Sequence, residues 1–304
     1  MSSILEKEKP KCIILLSEKS SGSSAFQNLL TESVSVKHVE KTRHYQFETL
    51  YWTKAASALK KQQIQMVDSE VPLSSKKAKS DLIKLLNDNL GSNFATDSEF
   101  NIDDIFDGWK KLCLVNEPVF LEKSPHHLCQ WASLELILEA MNRIDEVDFL
   151  VVGLVRNPMD TIYSQYMRWG SHPEKVEAQW SVAYENLIRL HGILKDKMVL
   201  IRYEDITQSQ EFLKPVFEFC GIQNSEVTSG YLHSNSISKW KNDNYFTFKL
   251  RGKTIQLAET FKYSKLELEN TDSGVFFRVM FITKLYYKRV KSKIKHTKHK
   301  IKQL

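Results

Sequence analysis

Phe149-Leu150-Val151-Val152-Gly153-Leu154-Val155 is apolar at every position, so a strand built from it has no polar face to turn to water. A strand buried on both faces belongs to a parallel sheet covered by helices on each side. Further runs at Lys11–Ser17, Val34–Val39, Val119–Leu121 and Met198–Arg202 alternate with segments of helical periodicity. That alternation predicts an α/β chain with one doubly wound parallel sheet in three layers. In such sheets ligands bind beyond the carboxyl ends of the strands.

Helices are expected over Ala25–Leu30, Thr42–Gln62, Ser80–Asn89, about Asn101–Cys113 and about Leu128–Arg143. Asn157 and Pro158 fit the cap and first position of another that runs to about Trp169, and Gly221 closes one over Phe212–Cys220. Ser181–Leu194, Thr254–Phe261 and Val275–Tyr287 complete the set, with Val67–Lys79 read as an exposed loop and Ser225–Lys253 as an irregular segment wrapping over a site. The block from about 42 to 113 reads as a helical insert on the acceptor side. At 304 residues the chain suits one large domain, here 1–287, followed by a tail over 288–304.

Eight of the 43 Lys and Arg fall in that tail, which holds no Asp or Glu, so the remaining body carries a slight acidic excess. A tail of this kind suits anionic lipid, nucleic acid or an acidic polysaccharide, and equally a solvated end without a partner; no specific nucleic acid partner is expected. Cys12, Cys113, Cys129 and Cys220 are scattered, which suggests neither a disulfide framework nor a zinc knuckle. The first ten residues lack the apolar stretch of a secretory signal, and no run reaches membrane-spanning length. A cytoplasmic protein is expected, with peripheral membrane attachment open through the tail.

The first strand-turn-helix carries the strongest chemical signal. Lys11–Ser17 leads into Glu18-Lys19-Ser20-Ser21-Gly22-Ser23-Ser24 and then a helix. Amide hydrogens at a helix start point into such a turn, and Gly22 lets a phosphate approach the backbone. A Walker loop would need Gly and Lys where this chain has Ser17 and Ser23, and no GxGxxG follows a strand.

With Ser21-Gly22-Ser23-Ser24 on this turn, and Arg156-Asn157-Pro158-Met159-Asp160 with Ser164 after the apolar strand, the sequence resembles sulfotransferases that use 3′-phosphoadenosine 5′-phosphosulfate (PAPS). Arg202-Tyr203-Glu204-Asp205-Ile206 and Glu122-Lys123-Ser124-Pro125 are similar to further segments of that family. The resemblance runs over roughly Lys11–Cys220 and implies a P-loop nucleoside triphosphate hydrolase-like fold. It implies that Lys19 and Ser20 to Ser24 hold the 5′-phosphosulfate, Arg156 and Ser164 the 3′-phosphate, and that Tyr203 lies near the adenine. The family places a basic residue directly before its Ser-Gly pair, whereas this chain has Ser20 there, with Lys19 one residue earlier.

Sulfuryl transfer needs a cation near the leaving oxygen and a base near the acceptor. Lys19 is the candidate cation, and Lys123 can neutralise sulfate oxygens or pair with Glu122. Glu48 is the candidate base, with Glu40 and His44 as alternatives, His44 lying one helical turn before Glu48. Glu122 and His126 form a second candidate group. No metal is expected, since no cluster has ligand spacing. The expected activity is transfer of a sulfuryl group from PAPS to a hydroxyl or amine of a small-molecule, glycan or lipid acceptor. An atypical P-loop kinase, or a non-catalytic binding module acting through the tail, are the alternatives.

Overall fold

A computed structural model describes residues 8–91, 94–96, 100–223, 229–270 and 274–287. The basic tail from Lys288 and part of the segment after Ser225 lie outside the described residues. Strands β1 (Lys11–Ser17), β2 (Val36–Lys37), β3 (Val119–Lys123), β4 (Asp148–Val155) and β5 (Met198–Arg202) form one parallel sheet in the order β2-β3-β1-β4-β5. The chain leaves β1 towards one edge and later crosses from β3 to β4 on the other side of β1. The switch point therefore lies at the carboxyl end of β1, where crevices open in sheets of this kind.

Period-two alternation divides the core into two layers. Cys12, Ile14 and Leu16 of β1, Phe120 of β3 and Val151 and Val155 of β4 bury one face, against α2 (Tyr51–Ala58), α4 (Ile102–Val115), α5 (Trp131–Arg143) and α7 (Pro173–Leu194). Ile13, Leu15, Leu121, Val152 and Leu154 bury the other face against α1 (Ser23–Leu30) and α9 (Lys214–Cys220). Gly153 packs closely, since a Cβ there would stand 2.8 Å from the side-chain ends of Leu187 of α7 and Leu200 of β5, which would have to shift. A third cluster seats α6 (Pro158–Trp169), through Met159, Ile162 and Tyr166, on Trp240, Phe246 and Phe281.

The insert is fixed to the sheet by aromatic rings. Trp109 of α4 lies 4.8 Å from Trp52, 4.9 Å from Tyr51 and 5.4 Å from Phe120, ring to ring. Buried rings of this size each remove on the order of 150–250 Å² from water, so α2 and α4 are held to the sheet. α3 (Ser75–Leu90) packs on α2 through Leu82 and Leu86 and begins five residues earlier than expected, since the Ser74 hydroxyl accepts from the Lys77 amide.

The helix expected over Thr42–Gln62 is reduced to α2. Gln46, Phe47 and Leu50 adopt positive φ of 60°, 59° and 52°, which breaks a helix of L-residues. The Leu50 amide donates to Ser124 Oγ at 2.9 Å instead. Glu48 thus sits on extended backbone and shares no helical face with His44. Asn157 does cap α6, accepting from the Met159 amide at 2.8 Å with Pro158 in the first turn. α7 extends back to Pro173, two turns before the expected start. The remaining helices are α8 (Tyr203–Ile206), α10 (Gly252–Thr260), α11 (Lys265–Leu268) and α12 (275–287).

Candidate active site

The turn after β1 is held from below and from the side. Ser20 and Gly22 both have positive φ, 63° and 91°. The Tyr203 ring lies so close to Gly22 that a Cβ there would be 2.3 Å from it. Beneath the turn the buried Glu18 carboxylate accepts from Gln179 Nε2 at 2.6 Å, Gln165 Nε2 at 3.3 Å and the Cys129 thiol at 3.1 Å. Burial raises the Glu18 carboxyl above its usual range, and burial with the neighbouring carboxylate drives the Cys129 thiol well up. Gln165 also donates to the Lys19 carbonyl at 3.0 Å, and Ser21 Oγ lies 3.1 Å from the Tyr184 hydroxyl. No side chain caps α1, so its first amide hydrogens point into the turn.

Two buried cations belong to this region, Lys19 in the turn itself and Arg156 bonded to it at Ser20. The Lys19 ammonium donates to the carbonyls of Val67 and Asp68 and lies 5.8 Å from the Trp169 ring centre. That loop is tied down by Gln179, whose Oε1 accepts from the Val67 amide, and by the Ser171 hydroxyl, which donates to the Asp68 carboxylate. Arg156, 5% exposed, donates to the carbonyls of Ser20 at 2.9 Å and Ser236 at 2.7 Å. Its guanidinium lies 4.9 Å from the Tyr203 ring centre. Among the described residues neither cation forms an ion pair with a carboxylate, and both meet neutral carbonyls instead.

Residues after β4 and β5 complete this side. Asp160 accepts from the Ser238 amide at 2.7 Å, and burial pushes its carboxyl up to about 7 against the opposing pull of Arg156. Ser164 is half-buried one helical turn beyond Asp160. Tyr203 is buried and donates to the His233 carbonyl at 3.3 Å. The segment around His233–Ser238 therefore wraps over Arg156 and Tyr203.

A second group meets the far end of the turn. Glu122 and Lys123 are consecutive on β3 and face opposite layers. The buried Lys123 ammonium lies 2.9 Å from Glu48 Oε1, 3.3 Å from the Gln46 carbonyl and 3.4 Å from Ser24 Oγ. Ser24 Oγ also donates to Gln46 Oε1. His126 Nδ1 stands 3.8 Å from the other Glu48 oxygen. Burial raises the Glu48 carboxyl above its usual range, with Lys123 pulling the other way. Burial, with Lys19 and His127 adding to it, lowers the His126 imidazole well below its usual range, so it is neutral at neutral pH.

Glu122 does not join His126. It accepts from Thr49 Oγ1 at 2.8 Å and Ser124 Oγ at 2.5 Å and lies 3.3 Å from His127 Nε2. Burial pushes its carboxyl up, but His127 and the two hydroxyls outweigh this and hold it low. Lys123 likewise pairs with Glu48 rather than with Glu122. Of the alternative bases, His44 lies 3.6 Å from Glu70 and Glu40 is exposed. Gln46, Glu18 and the carbonyls of Val67 and Asp68 shape the site without belonging to any recognisable motif.

The turn fits an anion. Among the described residues Ser20 Oγ and Arg156 Nε are buried without a hydrogen-bond partner, no side chain caps the α1 amides, and neither Lys19 nor Arg156 forms an ion pair. Buried groups in this condition carry a penalty that a bound oxyanion would relieve. Among the described residues no group of three or more His, Cys, Asp and Glu is arranged to hold a metal ion.

Comparison with known proteins bears on the same residues. The sulfotransferase family profile matches residues 11–226, which contain every group described above except the segment around His233–Ser238. The sulfotransferase domain of the Synechococcus PCC 7002 olefin synthase is similar in structure, with a TM-score of 0.56 at 17% identity over 85% of this chain and 97% of that one. The sulfotransferase domain from the curacin biosynthetic pathway gives 0.55 at 17% identity, covering 85% and 99%. No curated protein matches the chain significantly. With the profile spanning well over half of its length and a five-stranded sheet of the P-loop-like kind beneath the turn, the chain belongs to the sulfotransferase family.

Proposed function

We propose that the protein transfers a sulfuryl group from PAPS to a hydroxyl or amine of a small-molecule, glycan or lipid acceptor. The observation that carries this reading is the pair of buried cations, Lys19 and Arg156, which flank an anion-ready turn without a carboxylate partner. A donor with phosphate groups at both ends of its sugar would supply counterions to both. On this reading the turn from Lys19 to Ser24 holds the phosphosulfate, Arg156 and Ser164 hold the 3′-phosphate, and Tyr203 borders the nucleotide.

The acceptor oxygen or nitrogen would attack sulfur as the bond to the nucleotide's bridging oxygen breaks, leaving adenosine 3′,5′-bisphosphate. Glu48, raised by burial and therefore more basic than an ordinary carboxylate, is suited to take the acceptor proton. Lys123, beside both Glu48 and Ser24, is suited to neutralise charge on the sulfuryl oxygens. Neutral His126 lies next to Glu48 and can support it in orienting the acceptor.

Incubation with sulfur-labelled PAPS and a fractionated cell extract tests the reaction and finds the acceptor together. Calorimetry adds the nucleotide test, with adenosine 3′,5′-bisphosphate expected to bind and ATP with magnesium expected to bind far more weakly. Tight ATP binding with phosphoryl transfer would replace this reading with a kinase. Binding of the bisphosphate without transfer to any fraction would replace it with a non-catalytic module.

A further inference from the structure

α12 (275–287) has two apolar sides, and only one is used by the core. On the inner side Phe281, 5% exposed, packs 5.7 Å from the Tyr166 ring and 5.5 Å from the Phe246 ring. On the outer side Val275, Phe276, Val279, Ile282, Tyr286 and Tyr287 are between 56% and 77% exposed. At about 100° per residue, Val275, Val279, Ile282 and Tyr286 fall within an arc of roughly 60°, which Phe276 and Tyr287 widen on one side. Lys284 lies at the border, its ammonium 4.0 Å from the Tyr245 ring centre. A contiguous exposed apolar stripe bordered by charged residues is the kind of surface that marks a protein or membrane interaction site.

The sequence immediately beyond Tyr287 gives the stripe its partner. Lys288, Arg289, Lys291, Lys293, Lys295, Lys298, Lys300 and Lys302 follow with no Asp or Glu among them. A second copy packed in parallel would bring two such clusters together, at a repulsive cost, and one packed antiparallel would leave both clusters without anionic partners. An anionic bilayer offers hydrocarbon to the stripe and headgroup charge to the tail. Neither signal alone anchors a protein stably, whereas an apolar face joined to a polybasic segment does. Among the described residues no helix is long and apolar enough to cross a membrane, so the helix would lie in the interface plane.

We propose that the outer face of α12 and the following basic residues dock the protein on an anionic lipid surface. This does not depend on the reaction assigned above. Because α6 rests on the inner side of the same helix, docking would hold the Arg156 end of the site at a fixed distance from the bilayer.

Co-sedimentation of the full chain with vesicles of phosphatidylcholine containing phosphatidylserine is the test. Binding is expected, about tenfold or more weaker with phosphatidylcholine alone, and weakened by high salt. V279E/I282E should reduce binding about tenfold or more while leaving the thermal midpoint and bisphosphate affinity unchanged. The uncharged variant I282S/Y286S, which adds no repulsion, should weaken it in the same direction. Absence of binding at low salt would overturn the proposal, as would unchanged binding by both variants. A dimer in ultracentrifugation that V279E/I282E converts to monomer would also overturn it, by assigning the face to a second copy.

Discussion

Gly22→Ala tests how closely the two halves of the site depend on one glycine. The substitution meets two obstacles. An alanine held at φ near 91° is in left-handed backbone, which costs roughly 1–2 kcal/mol for a residue with a Cβ. The new methyl would also stand 2.3 Å from Cδ2 and Cε2 of Tyr203, so the ring must retreat by about 1.1 Å to reach ordinary contact. Tyr203 is 4% exposed and packed among Ile206, Leu213 and their neighbours, so it cannot simply swing into solvent. Forced overpacking of this kind costs about 1–3 kcal/mol. Together the loss is about 3 kcal/mol, or roughly 5 °C in thermal midpoint at an unfolding entropy of about 2.1 cal/mol/K per residue over 304 residues. Bisphosphate affinity should fall by about tenfold as the ring leaves the Arg156 guanidinium. The decisive assay is a double-mutant cycle with Tyr203→Ala. Removing the ring is itself destabilising, by about 3–5 kcal/mol, but in that background Gly22→Ala should cost only the left-handed backbone strain, giving a coupling of about 1–3 kcal/mol. Equal cost in both backgrounds would refute the role given to ring contact and leave backbone strain alone.

Glu48→Gln should lower turnover about 10²-fold or more and abolish the acid limb of the pH–rate profile, a limb that in the wild type lies above the ordinary carboxylate range because burial raises Glu48. Lys123→Met should also reduce turnover about 10²-fold, and it should move the residual acid limb upward, since the neighbour that lowers the Glu48 pKa is gone. Arg156→Lys should weaken bisphosphate binding about ten- to a hundredfold in calorimetry, because an ammonium cannot reproduce the two-carbonyl fork and also bind a phosphate. Asp160 titrates at about 7 in the fold against an ordinary 3.8, so its contribution to stability is full below about pH 3.8 and is lost as pH rises through about 7, at about 1.4 kcal/mol per unit in between. Urea midpoints measured across that window should slope less for Asp160→Asn than for the wild type, and equal slopes would contradict the assignment.

What the sequence made legible was local. The run Phe149–Val155 reads as a fully buried strand because no residue in it could tolerate a wet face, and β4 occupies it with one residue more at the start. Asn157 and Pro158 announce α6 by their own backbone chemistry, and Met198–Arg202 coincides with β5. The segment from Thr42 to Leu50 misleads for the opposite reason. Its aromatic and aliphatic residues carry helical spacing, while the hydrogen bond that bends it comes from Ser124, 74 residues away. No Gly or Asn marks the positive φ at Gln46, Phe47 or Leu50, so propensity gave no warning of a break imposed by tertiary contacts.

The same division runs through the site. Ser20 to Ser24 and Arg156 follow directly on β1 and β4, where a motif and the strand's direction together fix their position. The pairing of Lys123 with Glu48 depends on two further facts: that consecutive residues of β3 face opposite layers, and that the chain before α2 unwinds far enough to bring Glu48 to the Lys123 side. Strand alternation is legible in the sequence, and at Glu122-Lys123 it places the two side chains on opposite faces of the sheet. The unwinding is not legible there. Lys19 shows the limit most clearly, because its ammonium is held by two backbone carbonyls from a loop 48 residues downstream. Backbone carbonyls are common to every residue and leave no trace in composition or spacing. A cation held in this way is bound by partners that cannot neutralise it, which is why it remains available to an anion.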